Sequence, residues 1–325
     1  MNSSWLRVGA ILLCVGLIAW FMVNHVFDGN AKNATSAPAT PVVPRVNATA
    51  QAALQTRRRQ SGTQTITGST PLNATATSNP LETARDLRLV YDSLKDSSDP
   101  VARNIAHRAW SACFPTFISP LGKPLSLDRI LNALPANAAN NEARRAAYRG
   151  LQERCAGFFQ LSREAAIYTT QLQQDASNKG ESLAPGEFAA KLLRDGDTDG
   201  ALDIARAVIA SRDAYAIASL QDFVHHYLVL QIDEKPKAGN ERPDIRALAF
   251  QIAACQMGLE CGSDSLTALQ LCANGGQCDG TVVDRYLQAL PTITDRETVM
   301  KESQRIGDAI RSGNLQALGL APIPG

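Results

Sequence analysis

No catalytic signature marks this chain of 325 residues. It has no G-x-S-x-G elbow, no H-E-x-x-H zinc pair, no G-x-G-x-x-G fingerprint and no Walker A loop. "LGKP" at Leu121–Pro124 lacks the upstream glycine and the Ser/Thr of a phosphate loop. The chain therefore carries none of these signatures, but an absence of motifs does not exclude an enzyme. Paired carboxylates can come from any two helices. No run of alternating β-branched residues is present either, which removes a half-buried sheet. Net charge is also scarce, only +1 over the whole chain. Its spread is uneven: residues 1–27 carry only Arg7 and residues 28–80 carry +4, which leaves −4 for residues 81–325. A nucleic-acid partner calls for a basic face, and a mildly acidic domain does not offer one.

One long apolar run is present. "VGAILLCVGLIAWFMV", Val8–Val23, contains no charge and is flanked by Trp5, Leu6, Val26 and Phe27. A helix of about 20 residues spans a bilayer core, and residues 1–27 are read as a transmembrane anchor. A cleaved signal peptide is the alternative, but its apolar region is usually shorter, about 7–15 residues. Cys14 has Leu-Leu before it and apolar residues after it, which is not the setting of a lipid-attachment cysteine. Charge counting hardly decides orientation, with Arg7 and the amino terminus on one side and Lys32 and Arg45 on the other. Cysteine usage breaks the tie. Six cysteines lie beyond residue 80, none in a C-x-x-C pair, as suits an oxidising compartment. The expectation is a single-pass inner-membrane protein with a periplasmic domain, or a periplasmic protein if the leader is removed.

Residues 28–80 have no aromatic side chain and are rich in Ala, Thr, Ser, Asn and Pro. Such a segment cannot bury enough apolar surface to offset ordering entropy, so it is read as a disordered tether. A coil of that length reaches about 40 Å. From residue 81 to 325 the apolar period is helical. Asp99-Pro100 reads as N-cap and first helical residue. Ile217, Leu220, Val224, Tyr227, Leu228 and Gln231 read as one helix opening at Asp213, and Pro243 opens another that ends at Gly258. Thr294 and Glu297 read as a capping box, with Gly313 past the end of that helix. The fold class is all-α: an irregular bundle or a short α-solenoid-like array.

"CQMGLECGSDSLTALQLCANGGQC" repeats C-x-x-G-x-x-C. In each unit the first cysteine lies in the last turn of a predicted helix, and Gly258 or Gly275 is placed to reverse the chain in the left-handed conformation. Cys261 can then meet Cys255, and Cys278 can meet Cys272. Crossed pairing, Cys255–Cys272 with Cys261–Cys278, is the rival. Structural zinc is disfavoured because such sites use two to four intervening residues rather than five. Cys113 follows Ala106 and Trp110 on one helix face, Cys155 follows Tyr148 and Leu151 on another, and the two are natural partners.

"DGDTDGALD" places Asp195, Asp197, Asp199 and Asp203 at calcium-loop spacing, but Arg206 stands where the bidentate Glu belongs. The competing reading is a helix–helix turn supplying caps. His225 and His226 point about 100° apart and cannot easily share a metal. His107 reads as structural, and Asp222 as a surface partner of His225 or His226. No residue acquires a catalytic role and no cofactor is expected. The expected function is non-enzymatic: a membrane-anchored helical domain that presents a surface to another envelope or secreted protein. The alternative is a periplasmic enzyme acting on cell wall or polysaccharide.

Overall fold

The computed structural model describes residues 80–234 and 242–320. The apolar Val8–Val23 segment and the stretch read as a tether up to residue 79 lie outside the described residues. Among the described residues there is no strand, and no helix is long and apolar enough to cross a membrane.

Fourteen α-helices are described: α1 Pro80–Thr83, α2 Leu87–Leu94, α3 Pro100–Ser111, α4 Leu127–Asn132, α5 Asn141–Arg154, α6 Arg163–Lys179 and α7 Pro185–Arg194, then α8 Thr198–Ser211, α9 Ala214–Ala218, α10 Gln221–Glu234, α11 Pro243–Gln256, α12 Leu266–Gln270, α13 Val282–Ala289 and α14 Ile293–Ser312. Short polar side chains start most of them. Asp99 accepts from Val101 N–H at 3.0 Å with Pro100 in the first turn, and Ser162, Asp197, Asp213 and Ser265 cap α6, α8, α9 and α12 in the same way. Each such cap stabilises its helix by about 1 kcal/mol.

The helices enclose two apolar cores. Around the first, Trp110 stacks on Phe114 at 5.9 Å and meets Phe158 edge-on at 5.1 Å, and Leu81, Leu87, Tyr91 and Leu151 complete the surroundings. The second is built from α7 to α11 and α14, with Phe223 stacked on Tyr227 at 5.6 Å. Leu266, Cys272 and Ala273 return from the far end of the sequence to the first core. In a solenoid each repeat touches only its neighbours, and this return departs from that pattern.

Three expectations are corrected. The helix expected from Asp213 through Gln231 is two helices, broken at Ser219–Leu220. The first turn of α7 occupies the break: Gly186 N–H donates to Ser219 Oγ at 2.9 Å, and a Cβ on Gly186 would stand 2.4 Å from the Ser219 carbonyl carbon. The cap of α14 is Thr292 with Asp295, not Thr294 with Glu297. Finally, Gly276 (φ +79°) reverses the chain after α12, and Gly275 is not left-handed. The helix widens into a π-turn over Leu271–Gly275, so the reversal comes one residue later.

The other two glycine ends match their expected positions. At Gly258 (φ +107°) the N–H of Leu259 reaches Ala254 O at 3.0 Å and that of Gly258 reaches Cys255 O at 3.2 Å, and Gly313 ends α14 with φ +71°.

Candidate functional site

A polar cleft of about 220 Å³ opens where the two cores meet. Helix α3 supplies Asn104 and Arg108, one turn apart and therefore on one face. Glu187 stands in the first turn of α7, Tyr215 on α9, Glu82 on α1 and Tyr286 on α13. The Cys255–Cys261 disulfide forms part of the wall.

Asn104 is the hub and is only 1% exposed. Its amide nitrogen donates to Ser182 O at 2.7 Å and to Glu187 Oε2 at 3.1 Å, while its oxygen accepts from the Tyr215 hydroxyl. Glu187 Oε2 also accepts from Ala184 N–H at 2.8 Å. Glu82, 2% exposed, is a buried carboxylate and needs partners. Thr267 gives it two, its N–H and its hydroxyl, each at 2.9 Å, and Arg108 stands 4.0 Å away. The Arg108 guanidinium also lies over the Tyr215 ring, 5.5 Å from its centre.

This environment moves the titratable groups. Burial pushes the Tyr215 hydroxyl up, more strongly than nearby Arg108 pulls it down. Burial likewise raises Tyr286. For Arg108, burial acts downward, but Tyr215, Glu82 and Glu187 together hold the guanidinium above its usual value. Both tyrosines therefore stay neutral at physiological pH, and Arg108 stays a cation.

Disulfides join Cys113–Cys155, Cys255–Cys261 and Cys272–Cys278, with Cα separations of 5.6, 5.7 and 4.3 Å. The first lies inside the first core, and the other two flank the crossing from one core to the other. Buried Arg285 holds that crossing by donating to Gly280 O at 3.1 Å, Ser263 O at 3.0 Å and Ala268 O.

Of the four aspartates at calcium-loop spacing, Asp195 and Asp197 sit at the turn between α7 and α8. Asp195 pairs with Lys191, Asp197 caps α8 through Gly200 N–H at 3.0 Å, and Asp203 pairs with Arg206 at 3.1 Å. Helix α8 starts at Thr198, which puts Asp199 and Asp203 on the helix and not in a loop. Among the described residues no group of three or more His, Cys, Asp or Glu is placed to hold a metal ion. His107 bonds Gln173 at 2.9 Å and Ser111 at 3.3 Å, and the rings of His225 and His226 are nearly perpendicular.

Glu82, Asn104, Arg108, Glu187 and Tyr215 did not stand out in the sequence. A signal was available on α3, where Asn104 and Arg108 repeat at helical spacing beside the apolar face of Ile105, Ala109 and Trp110. The chain was compared with protein-family models, curated proteins and solved structures, and it matches none of them.

Proposed function

We propose that this chain is a membrane-anchored, extracytoplasmic helical protein that recognises another envelope or secreted protein and catalyses no reaction. The extracytoplasmic setting rests on the Val8–Val23 run and on the pairing of all six cysteines beyond residue 80. Recognition rests on the cleft. Its two inner carboxylates are held by backbone and hydroxyl donors, and neither is left as a loose acid or base. Its volume, about 220 Å³, is below the 300–1,000 Å³ usual for small-molecule sites, so a single protruding side chain fits better than a polysaccharide segment. Glu82, Glu187 and exposed Glu260 outweigh Arg108 in its lining, which favours a basic side chain from the partner.

The test is crosslinking of the full-length protein in intact membranes. A defined partner captured by the parent chain should be lost in Glu187→Gln/Glu260→Lys and kept in an exposed control, Asp195→Ala. Glutamine retains an acceptor oxygen for Ala184 N–H and Asn104, so that variant removes charge rather than structure. Release of soluble fragments from a cell-wall polymer by the purified protein, abolished in Glu187→Gln, would overturn the proposal in favour of an enzyme.

A further inference from the structure

On the far side of Asn104 and Glu187 lies a second cavity, of about 370 Å³, within the usual range for a small-molecule site. Two helix faces wall it. On α3 the residues follow i, i+3, i+4, i+7 from Asn104 to Ser111, and on α7 they follow i, i+3, i+7 from Glu187 to Arg194. Asp222, in the first turn of α10, and Ser182, in the connection before α7, complete it.

Ser182 is 3% exposed, and its hydroxyl has no hydrogen-bond partner. A buried hydroxyl left unpaired is costly, and a ligand in this cavity would supply what is missing. The charges point the same way. Among the described residues the Arg194 side chain makes no ion pair or hydrogen bond, and neither does the Asp222 carboxylate, whose residue is met by His226 only at its backbone carbonyl, at 2.7 Å. Two cations, Arg108 and Arg194, thus face two carboxylates, Glu187 and Asp222, around one cavity. A simple anion would meet both acids and a simple cation both arginines. A sugar ring would find no Phe, Tyr or Trp to stack on among the lining residues.

We infer that this cavity binds a small zwitterion of α-amino-acid type. Its carboxylate lies against Arg194 and Arg108, where a planar guanidinium can bond both oxygens. Its ammonium lies against Asp222 and Glu187, with the Ser182 hydroxyl as a further partner. The cavity shares Asn104, Arg108 and Glu187 with the cleft proposed to receive a protein side chain, whereas Ser182, Arg194 and Asp222 line the cavity alone, so variants at Arg194 and Asp222 test it apart from the cleft.

The experiment is calorimetric titration of the full chain in detergent with L-alanine, L-glutamate and L-lysine, and separately with acetate, methylammonium and inorganic phosphate. At least one amino acid should bind saturably with a Kd below about 1 mM. Arg194→Gln and Asp222→Asn, both at exposed positions, should each weaken it about tenfold or more. Saturable binding of none of the three amino acids would overturn the inference. So would acetate, methylammonium or phosphate binding as tightly as the best amino acid, or amino-acid binding unchanged in both variants.

Discussion

Asn104 joins α3, α7 and α9 through one side chain. Replacing it with alanine leaves the Tyr215 hydroxyl and the Ser182 carbonyl without their partner in a nearly water-free place. Each such group costs about 1–3 kcal/mol, so Asn104→Ala should destabilise the fold by about 3 kcal/mol in urea titration. Asp195→Ala removes only an exposed ion pair with Lys191 and should change stability by less than about 0.5 kcal/mol. A large loss at Asp195 and none at Asn104 would show that the turn, and not the hub, holds the structure together. Neither value follows from residue type. Both residues are small and polar and lie in helix-rich stretches, and only burial separates them.

Helix ends and breaks carry their own tests. Gly186→Ala would drive a methyl group into the backbone of Ser219 and Leu220, which cannot rotate away. It should cost about 1–3 kcal/mol and loosen the α9–α10 break, as seen in thermal melts or amide exchange. Gly276→Ala would place a Cβ in the left-handed region, at about 1–2 kcal/mol. Gly275→Ala meets only the end of the flexible Gln277 side chain and should be nearly neutral. Equal losses at the two glycines would contradict the π-turn register. Removing Cys255–Cys261 or Cys272–Cys278 should cost about 2 kcal/mol each, and removing Cys113–Cys155, with its longer loop, about 4 kcal/mol.

For the whole molecule, stability should form a plateau with two edges. On the acid side, burial acts to raise Glu302, but Arg305 and Arg246 outweigh it and hold the carboxyl below its usual range. Asp244 is likewise held low by Arg242 against burial, and Asp284 by Thr281. A carboxyl depressed in the folded state binds protons more readily when unfolded, so its contribution disappears as pH falls below about 4. On the alkaline side, burial raises Tyr91, Tyr148, Tyr215 and Tyr286. The unfolded chain then loses those protons first, and stability should fall above about pH 10. Urea midpoints measured across pH should decline at both ends, with the acid limb shallower in Glu302→Gln and the alkaline limb shallower in Tyr215→Phe. Unchanged limbs in both variants would remove these groups as the cause. At the same scale, alkaline phosphatase fused after Gly325 should be active if residues 81–325 face an oxidising space. An inactive fusion beside an active cytoplasmic reporter would reverse the proposed orientation.

Helical period, caps such as Asp99-Pro100, and glycine stops at Gly258 and Gly313 were legible in the sequence because each depends on interactions within about one turn of chain. The closure of Cys255 on Cys261 was legible only in part: a left-handed glycine midway between them makes the local pair possible, but crossed pairing with Cys272 and Cys278 stayed open until the fold brought the two sulfurs together. Packing decided the rest. The break at Ser219 exists because a distant helix end, at Gly186, presses into it. The reversal passes from Gly275 to Gly276 where a wide turn leaves Cys272 and Ala273 in the first core. The cleft belongs to tertiary structure most completely. Thr267 satisfies Glu82 across 185 residues of sequence, and Tyr215 satisfies Asn104 across 111. No local pattern encodes such pairs, because each becomes favourable only after both cores have excluded water around it.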